Sequence, residues 1–276
     1  MARSFGYLCA GALCASLGFI GSARAIDLAP NKALYTTSLN SAKPESGVVG
    51  ADGTMSVESG ETCDGWTVEE HDKLTVHNSG SDDLELVTNF VSWESKDGLR
   101  FRFSQRELKN GEVDDEVSGE ARLEGPGKGG KVEFTKPKSE TLDLAPGVLF
   151  PTAHTIRLIE RAGAGDQFMA AKVLDGASDE NASDVSAVIG APQTAEAGAA
   201  SATVKSPLLA RPSWRVHLAF FPADGDGDKS GGDKPDYELD MRLLDNGVSR
   251  DMVLDYGDFA IKAKLDSLEA LPKPGC

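Results

Sequence analysis

Residues 214–220 read Trp-Arg-Val-His-Leu-Ala-Phe. Trp214, Val216, Leu218 and Phe220 fall on one side of an extended chain and Arg215 and His217 on the other. This is the period of two that an antiparallel strand with one covered face requires. The alternation recurs on both sides of this stretch. In 99–103 Leu99, Phe101 and Phe103 oppose Arg100 and Arg102, and in 259–265 Phe259, Ile261, Ala263 and Leu265 oppose Lys262 and Lys264. In 248–256 Val248, Met252, Leu254 and Tyr256 share a face, with Arg250 as one charged intruder. Gly, Asn and Asp tolerate the positive φ of tight hairpins, so Asp52-Gly53, Asp97-Gly98, Asn110-Gly111, Asn246-Gly247 and Gly257-Asp258 read as turns between strands. Strands are predicted near 32–39, 47–58, 62–77, 84–94, 99–108, 112–123, 131–135, 140–144, 167–174, 184–189, 213–221, 236–244, 248–256 and 259–266.

One helix interrupts the series. Residues 151–163 can start with Pro151 in the first turn or Thr152 as N-cap, and place Ala153, Ile156, Ile159 and Ala162 near one face. Gly163 is the expected left-handed C-cap. A lone helix among hairpins is expected to cover a curled sheet, because each apolar strand face needs a partner. The stretches 192–206, Ala-rich, and 224–233, Asp- and Gly-rich, read as surface loops.

The first 25 of the 276 residues have the pattern of a signal peptide: Arg3, an uncharged apolar run from Phe5 to Ile20, then Ala23-Arg24-Ala25. Cleavage is expected after Ala25. Neither Cys9 nor Cys14 follows the residues that a lipid-modified cysteine needs, and both fall inside the expected leader. The mature chain then holds two cysteines, Cys63 and Cys276, which allow one intramolecular pairing in an oxidising compartment, against free thiols or an intermolecular bond. The formal charge is −16; removing Arg3 and Arg24, and no acid, leaves −18. Such a surface repels nucleic acid and anionic headgroups.

Catalytic and metal-binding patterns are few in this chain. Asp224, Asp226 and Asp228 begin like a calcium loop, but Lys229 stands at the sixth place where Gly is needed and Pro235 at the twelfth where Glu is needed. A solvated hairpin tip is the expectation there. His71 and His77 share one side of a strand but lie roughly 20 Å apart. His217 falls on a polar face, and His154 in the first helical turn suits packing or a backbone hydrogen bond. Acids such as Asp114, Asp115 and Glu116 are expected on the surface. Trp66, Trp93 and Trp214 are assigned to the apolar bulk. In 84–93, Leu84, Leu86 and Phe90 occupy one face and Val87, Val91 and Trp93 the other. Either this strand is covered on both sides, or it lines a curled sheet with a greasy concave groove.

Several stretches together resemble the EipB-like periplasmic proteins of alphaproteobacteria. They are LAPNKALY (28–35), CDGW (63–66), PGVLFPTAHT (146–155) and the terminal PGC (274–276). The resemblance runs from about Leu28 to Cys276, with 192–206 and 224–233 as local departures. It implies an all-β fold, an open, spiral-like antiparallel β-barrel with one packed α-helix, over a single domain spanning 26–276. It implies a disulfide between Cys63 and Cys276, and a structural motif that includes Pro146, Gly147, Phe150, Pro151, Thr152 and His154. It further implies a role in cell-envelope integrity, a shape similar to periplasmic lipoprotein carriers, and a link to a periplasmic tetratricopeptide-repeat protein. No catalytic residue, metal or cofactor comes with it.

The expectation is therefore a periplasmic, non-catalytic, monomeric protein, not membrane-spanning, that binds a lipid, a lipoprotein or an envelope partner. A protein-interaction scaffold with a filled core, or a hydrolase with a dispersed site, are the alternatives.

Overall fold

A computed structural model describes residues 26–196, 204–222 and 234–276. The leader 1–25 and the Asp-rich stretch 224–233 lie outside the described residues, as do 197–203 of the Ala-rich stretch. The strands are β1 (Asn31–Ala42), β2 (Val48–Glu61), β3 (Gly65–Asn78), β4 (Leu84–Ser95), β5 (Arg100–Lys109), β6 (Glu112–Leu123), β7 (Gly130–Lys136) and β8 (Glu140–Leu144), then β9 (Phe168–Val173), β10 (Ser183–Gln193), β11 (Ser213–Phe221), β12 (Tyr237–Leu244), β13 (Ser249–Asp255) and β14 (Phe259–Ala270). Helix α1 (Pro151–Ala164) separates β8 from β9. All fourteen strands form one antiparallel sheet in the order β8-β7-β6-β5-β4-β3-β2-β1-β14-β13-β12-β11-β10-β9. Two meanders are thus spliced through β1 and β14, and the sheet ends at β8 and β9 without closing.

The sheet curls, because Ala33 of β1 and Ile189 of β10 belong to one apolar cluster although four strands separate them in the ladder. That cluster holds Trp214, Val216, Leu218 and Phe220 of β11, with Leu158 and Ile159 of the helix packed into it. A second cluster gathers Phe101, Phe103, Val117, Val132, Phe134 and Phe150 under β5–β8. Burial of these faces away from water is the main drive for the curl.

Four expectations need correction. Asp52-Gly53 is no turn; it lies inside β2, paired with β1 and β3, where a Cβ on Gly53 would stand 2.0 Å from the Lys73 carbonyl. Arg250 is no intruder, since β13 carries one residue more than β12 between Asp240↔Val253 and Arg242↔Arg250, with Asp251 at φ 54°. This bulge reverses the alternation, so Arg250 leaves the face of Met252 and pairs with Asp251 at 3.1 Å. The helix runs past Gly163, and Gly165 (φ 88°) is its C-cap. Trp66 and Trp93 are not core: Lys96 sits 4.2 Å over the Trp66 ring, and Arg100 and Arg102 cover Trp93 on the outer face.

Candidate functional site

The open seam between β8 and β9 is where the Pro146–Thr155 stretch lies. Gly147 takes a φ of 86° that a side chain would resist, turning the chain after β8. Leu149 then bridges to Val173: its N–H donates to the Lys172 carbonyl (2.9 Å), and the Leu174 N–H donates back to Leu149 (3.1 Å). Phe150 is fully buried and stacks on Phe101 at 5.2 Å, which stacks on Phe103. Pro151 opens the helix, where a missing N–H does no harm.

The N-cap residue is Phe150, not Thr152, and it makes no side-chain cap bond. The cap comes from Glu94 of β4 instead. Its carboxylate accepts the Thr152 N–H (2.7 Å) and the Ala153 N–H (2.8 Å). Burial pushes this carboxyl up to about 7, against the pull of those two donors. His154 is buried, with Nε2 unpartnered; burial drives it down to about 4, so the ring is neutral and serves packing.

The other join carries the disulfide. Cys63 and Cys276 are bonded, with Cα atoms 5.8 Å apart and 213 positions between them. Cys63 lies in the β2–β3 turn rather than in a strand. The tail reaches it along the rim: the Leu271 N–H donates to the Pro30 carbonyl at 2.9 Å, and Lys273 pairs with Asp27. Gly65, the first residue of β3, admits no side chain, since a Cβ would meet Trp93 Nε1 at 2.4 Å.

Inside the curl is a cavity of about 360 Å³. Met55, Leu74, Leu86, Phe259 and Ile261 form its apolar wall, and Thr37, Asp72, Thr88, Glu107 and Tyr256 its polar wall. The strand 84–93 therefore lines the concave side through Leu86 and Thr88, while Val91 on the other face is 44% exposed. It is not covered on both sides. Along β3 the inward row is Val68, Glu70, Asp72, Leu74 and Val76, so two acids sit in an otherwise apolar row.

Burial, and then the charge and hydrogen bond of Glu70, push the Asp72 carboxyl up to about 9. Burial raises Glu107 as well, with Asp114 and Asp115 adding to it. Burial and then Glu70 raise the Tyr35 phenol, whose O–H donates to the Ser249 carbonyl at 2.8 Å. The interior field is negative. Neither Asp72 nor Glu94 stood out in the sequence as functional; for Asp72 the signal was its place in the row of Val68, Leu74 and Val76.

The remaining histidines stand apart from this cavity. His71 bonds Asn89 at 2.8 Å, His77 lies between Asp52 and Asp83, and His217 lies between Asp240 and Glu238. A smaller pocket of about 140 Å³ lies at the helix N-terminus, lined in part by Leu28, Trp66 and Thr152.

A family model of EipB-like proteins matches residues 22–272. The chain belongs to the EipB-like family. Cell envelope integrity protein EipB of Brucella abortus (strain 2308) is 32% identical over 269 residues, 94% of this chain and 92% of that protein. The crystal structure of a beta-barrel-like protein of a domain of unknown function from Brucella abortus superposes with a TM-score of 0.80 at 31% identity, covering 90% of this chain and 100% of that one. The EipB-like match takes in the seam stretch, Glu94, Asp72 and Cys63, and ends four residues before Cys276.

Proposed function

We propose that this protein supports the integrity of the cell envelope as a non-catalytic periplasmic binding protein. It holds the apolar part of an envelope lipid or lipoprotein against the concave face of its sheet. The observation that carries this reading is the 360 Å³ cavity inside the curl, walled by Met55, Leu74, Leu86, Phe259 and Ile261. A cavity of that size with an apolar wall and a few convergent polar groups has the make-up of small-molecule sites. The name of the Brucella relative supports the envelope role. The described residues contain no helix long and apolar enough to cross a membrane.

Deleting the gene and challenging cells with detergent and cell-wall antibiotics tests the role; unchanged survival overturns it. Native mass spectrometry of protein released gently from the periplasm tests the binding. Co-purified lipid, or uptake of apolar probes, is expected. Uptake of neither would favour a scaffold that works through its outer surface. N-terminal sequencing of the same material is expected to start at Ile26.

A further inference from the structure

The cavity is not uniformly apolar, and its polar lining has a defined chemistry. Thr37 faces inward from β1 and is 3% exposed, yet its Oγ1 has no hydrogen-bond partner. Asp72 lines the same cavity from β3, and its Oδ1 is buried without a partner as well. Oxygens removed from water and left without a donor are costly, and native proteins seldom keep them without a use. Glu107 joins them from β5, Glu70 stands beside Asp72, and Tyr256, 45% exposed, borders the opening. Lys73 is the one basic residue on the lining, but its Nζ pairs with Glu85 at 2.7 Å on the outer face. Lys109 is the other cation whose field reaches Glu107, and it is exposed.

What Thr37 Oγ1 and Asp72 Oδ1 lack is a partner, and the surrounding acids favour one that carries positive charge. A phosphate or carboxylate head would lie against the acids Glu70 and Glu107, whose charge opposes it. An ammonium group has three N–H donors and no acceptor. It would satisfy Thr37 Oγ1 and Asp72 Oδ1 together while an attached apolar chain lay along Met55, Leu74, Leu86 and Ile261. We infer that the cavity selects amphiphiles bearing a primary ammonium group, held between Thr37 and Asp72 with the chain on the apolar wall. This rests on the reading of the cavity as a binding site and adds the class of head group. On binding, the cation replaces the proton that Asp72 holds in the ligand-free protein, and that proton passes to solvent.

The test compares octylammonium, octanol and octanoate by calorimetry on the mature, disulfide-bonded protein in 0.5 M NaCl, which screens the acidic outer surface. Octylammonium is expected to bind once per chain at least tenfold more tightly than octanol, with octanoate weakest. Its heat is expected to differ between buffers of different ionisation enthalpy, reporting the released proton. Asp72→Asn, which keeps the shape of the protonated carboxyl, is expected to bring octylammonium and octanol to within about twofold. Thr37→Val is expected to weaken octylammonium and leave octanol unchanged. Equal binding of octylammonium and octanol would overturn the head-group selection and leave the apolar site standing. Binding of none of the three would overturn both. A preference for octylammonium that survives both substitutions would place the cation elsewhere and overturn the inference.

Discussion

The sheet is held at two joins, and they are built in opposite ways. β1 and β14 meet in a ladder of eleven paired positions, and the Cys63–Cys276 bond crosses the rim beside it. β8 and β9 do not pair. A single bridge at Leu149↔Val173, the buried ring of Phe150 and a helix capped from β4 span the gap between them. The first join is mostly backbone hydrogen bonding, which many side chains permit. The second depends on particular side chains in particular places, and that is why a recognisable stretch of sequence stands there.

Removing the bond at the first join should have the largest effect. Cys276→Ser frees a loop of 213 positions, which costs about 5 kcal/mol in the chain-entropy treatment. A lower denaturation midpoint, with faster hydrogen exchange in 271–276 and the β2–β3 turn but protected β1–β14 amides, is the expected outcome. Loss of protection along the whole ladder would mean that the disulfide, not the ladder, makes the first join.

Phe150→Ala attacks the second join. Truncating a fully buried aromatic typically costs about 3–5 kcal/mol. Exchange should rise in 145–165 and along β9 while the β1–β14 ladder stays protected. Equal loss at both joins would show that the two open as one unit, and the contrast would fail.

Glu94→Gln removes the charge from the long-range cap and leaves one good acceptor for two N–H groups. A loss of about 1–2 kcal/mol is expected, read as exchange at Thr152 and Ala153 and as a lower melting temperature at pH 8.

A control for both joins is Asp72→Asn, which acts in the cavity and at neither join. The Asp72 carboxyl is raised to about 9 from an ordinary value near 3.8. Between those two values the folded state holds a proton that the unfolded state has lost, so this group makes stability fall as pH rises through that window. The variant lacks that slope. Its melting temperature should match the parent's near pH 4 and exceed it by a margin that widens toward pH 8, with exchange at both joins unchanged. A margin that stays flat with pH would put the burial of Asp72 in doubt.

Much of the architecture was legible residue by residue. Every predicted strand is present, because a half-covered strand writes its period into the chain wherever apolar and charged side chains alternate, as in Trp214–Phe220 and Leu99–Phe103. The helix was legible from Pro151 and the glycines after it, although the choice between Gly163 and Gly165 turns on where packing against the first cluster stops. The polar interior was less legible. Glu70 and Asp72 look like surface acids in a chain of charge −16, and only the curl of β3 turns their row inward. Glu94 gives no local sign of capping a helix that begins 57 positions later.

By itself, then, the sequence determined the strand pattern, the lone helix and the family, since each follows from local periodicity or from residue identities that recur as a set. Only the tertiary structure decided that the opening falls between β8 and β9, that Glu94 caps the helix, and that the concave face encloses a cavity with Thr37 and Asp72 in its lining. Those features arise where residues far apart in the chain are brought within hydrogen-bond reach by the curl, and no local pattern records such a meeting.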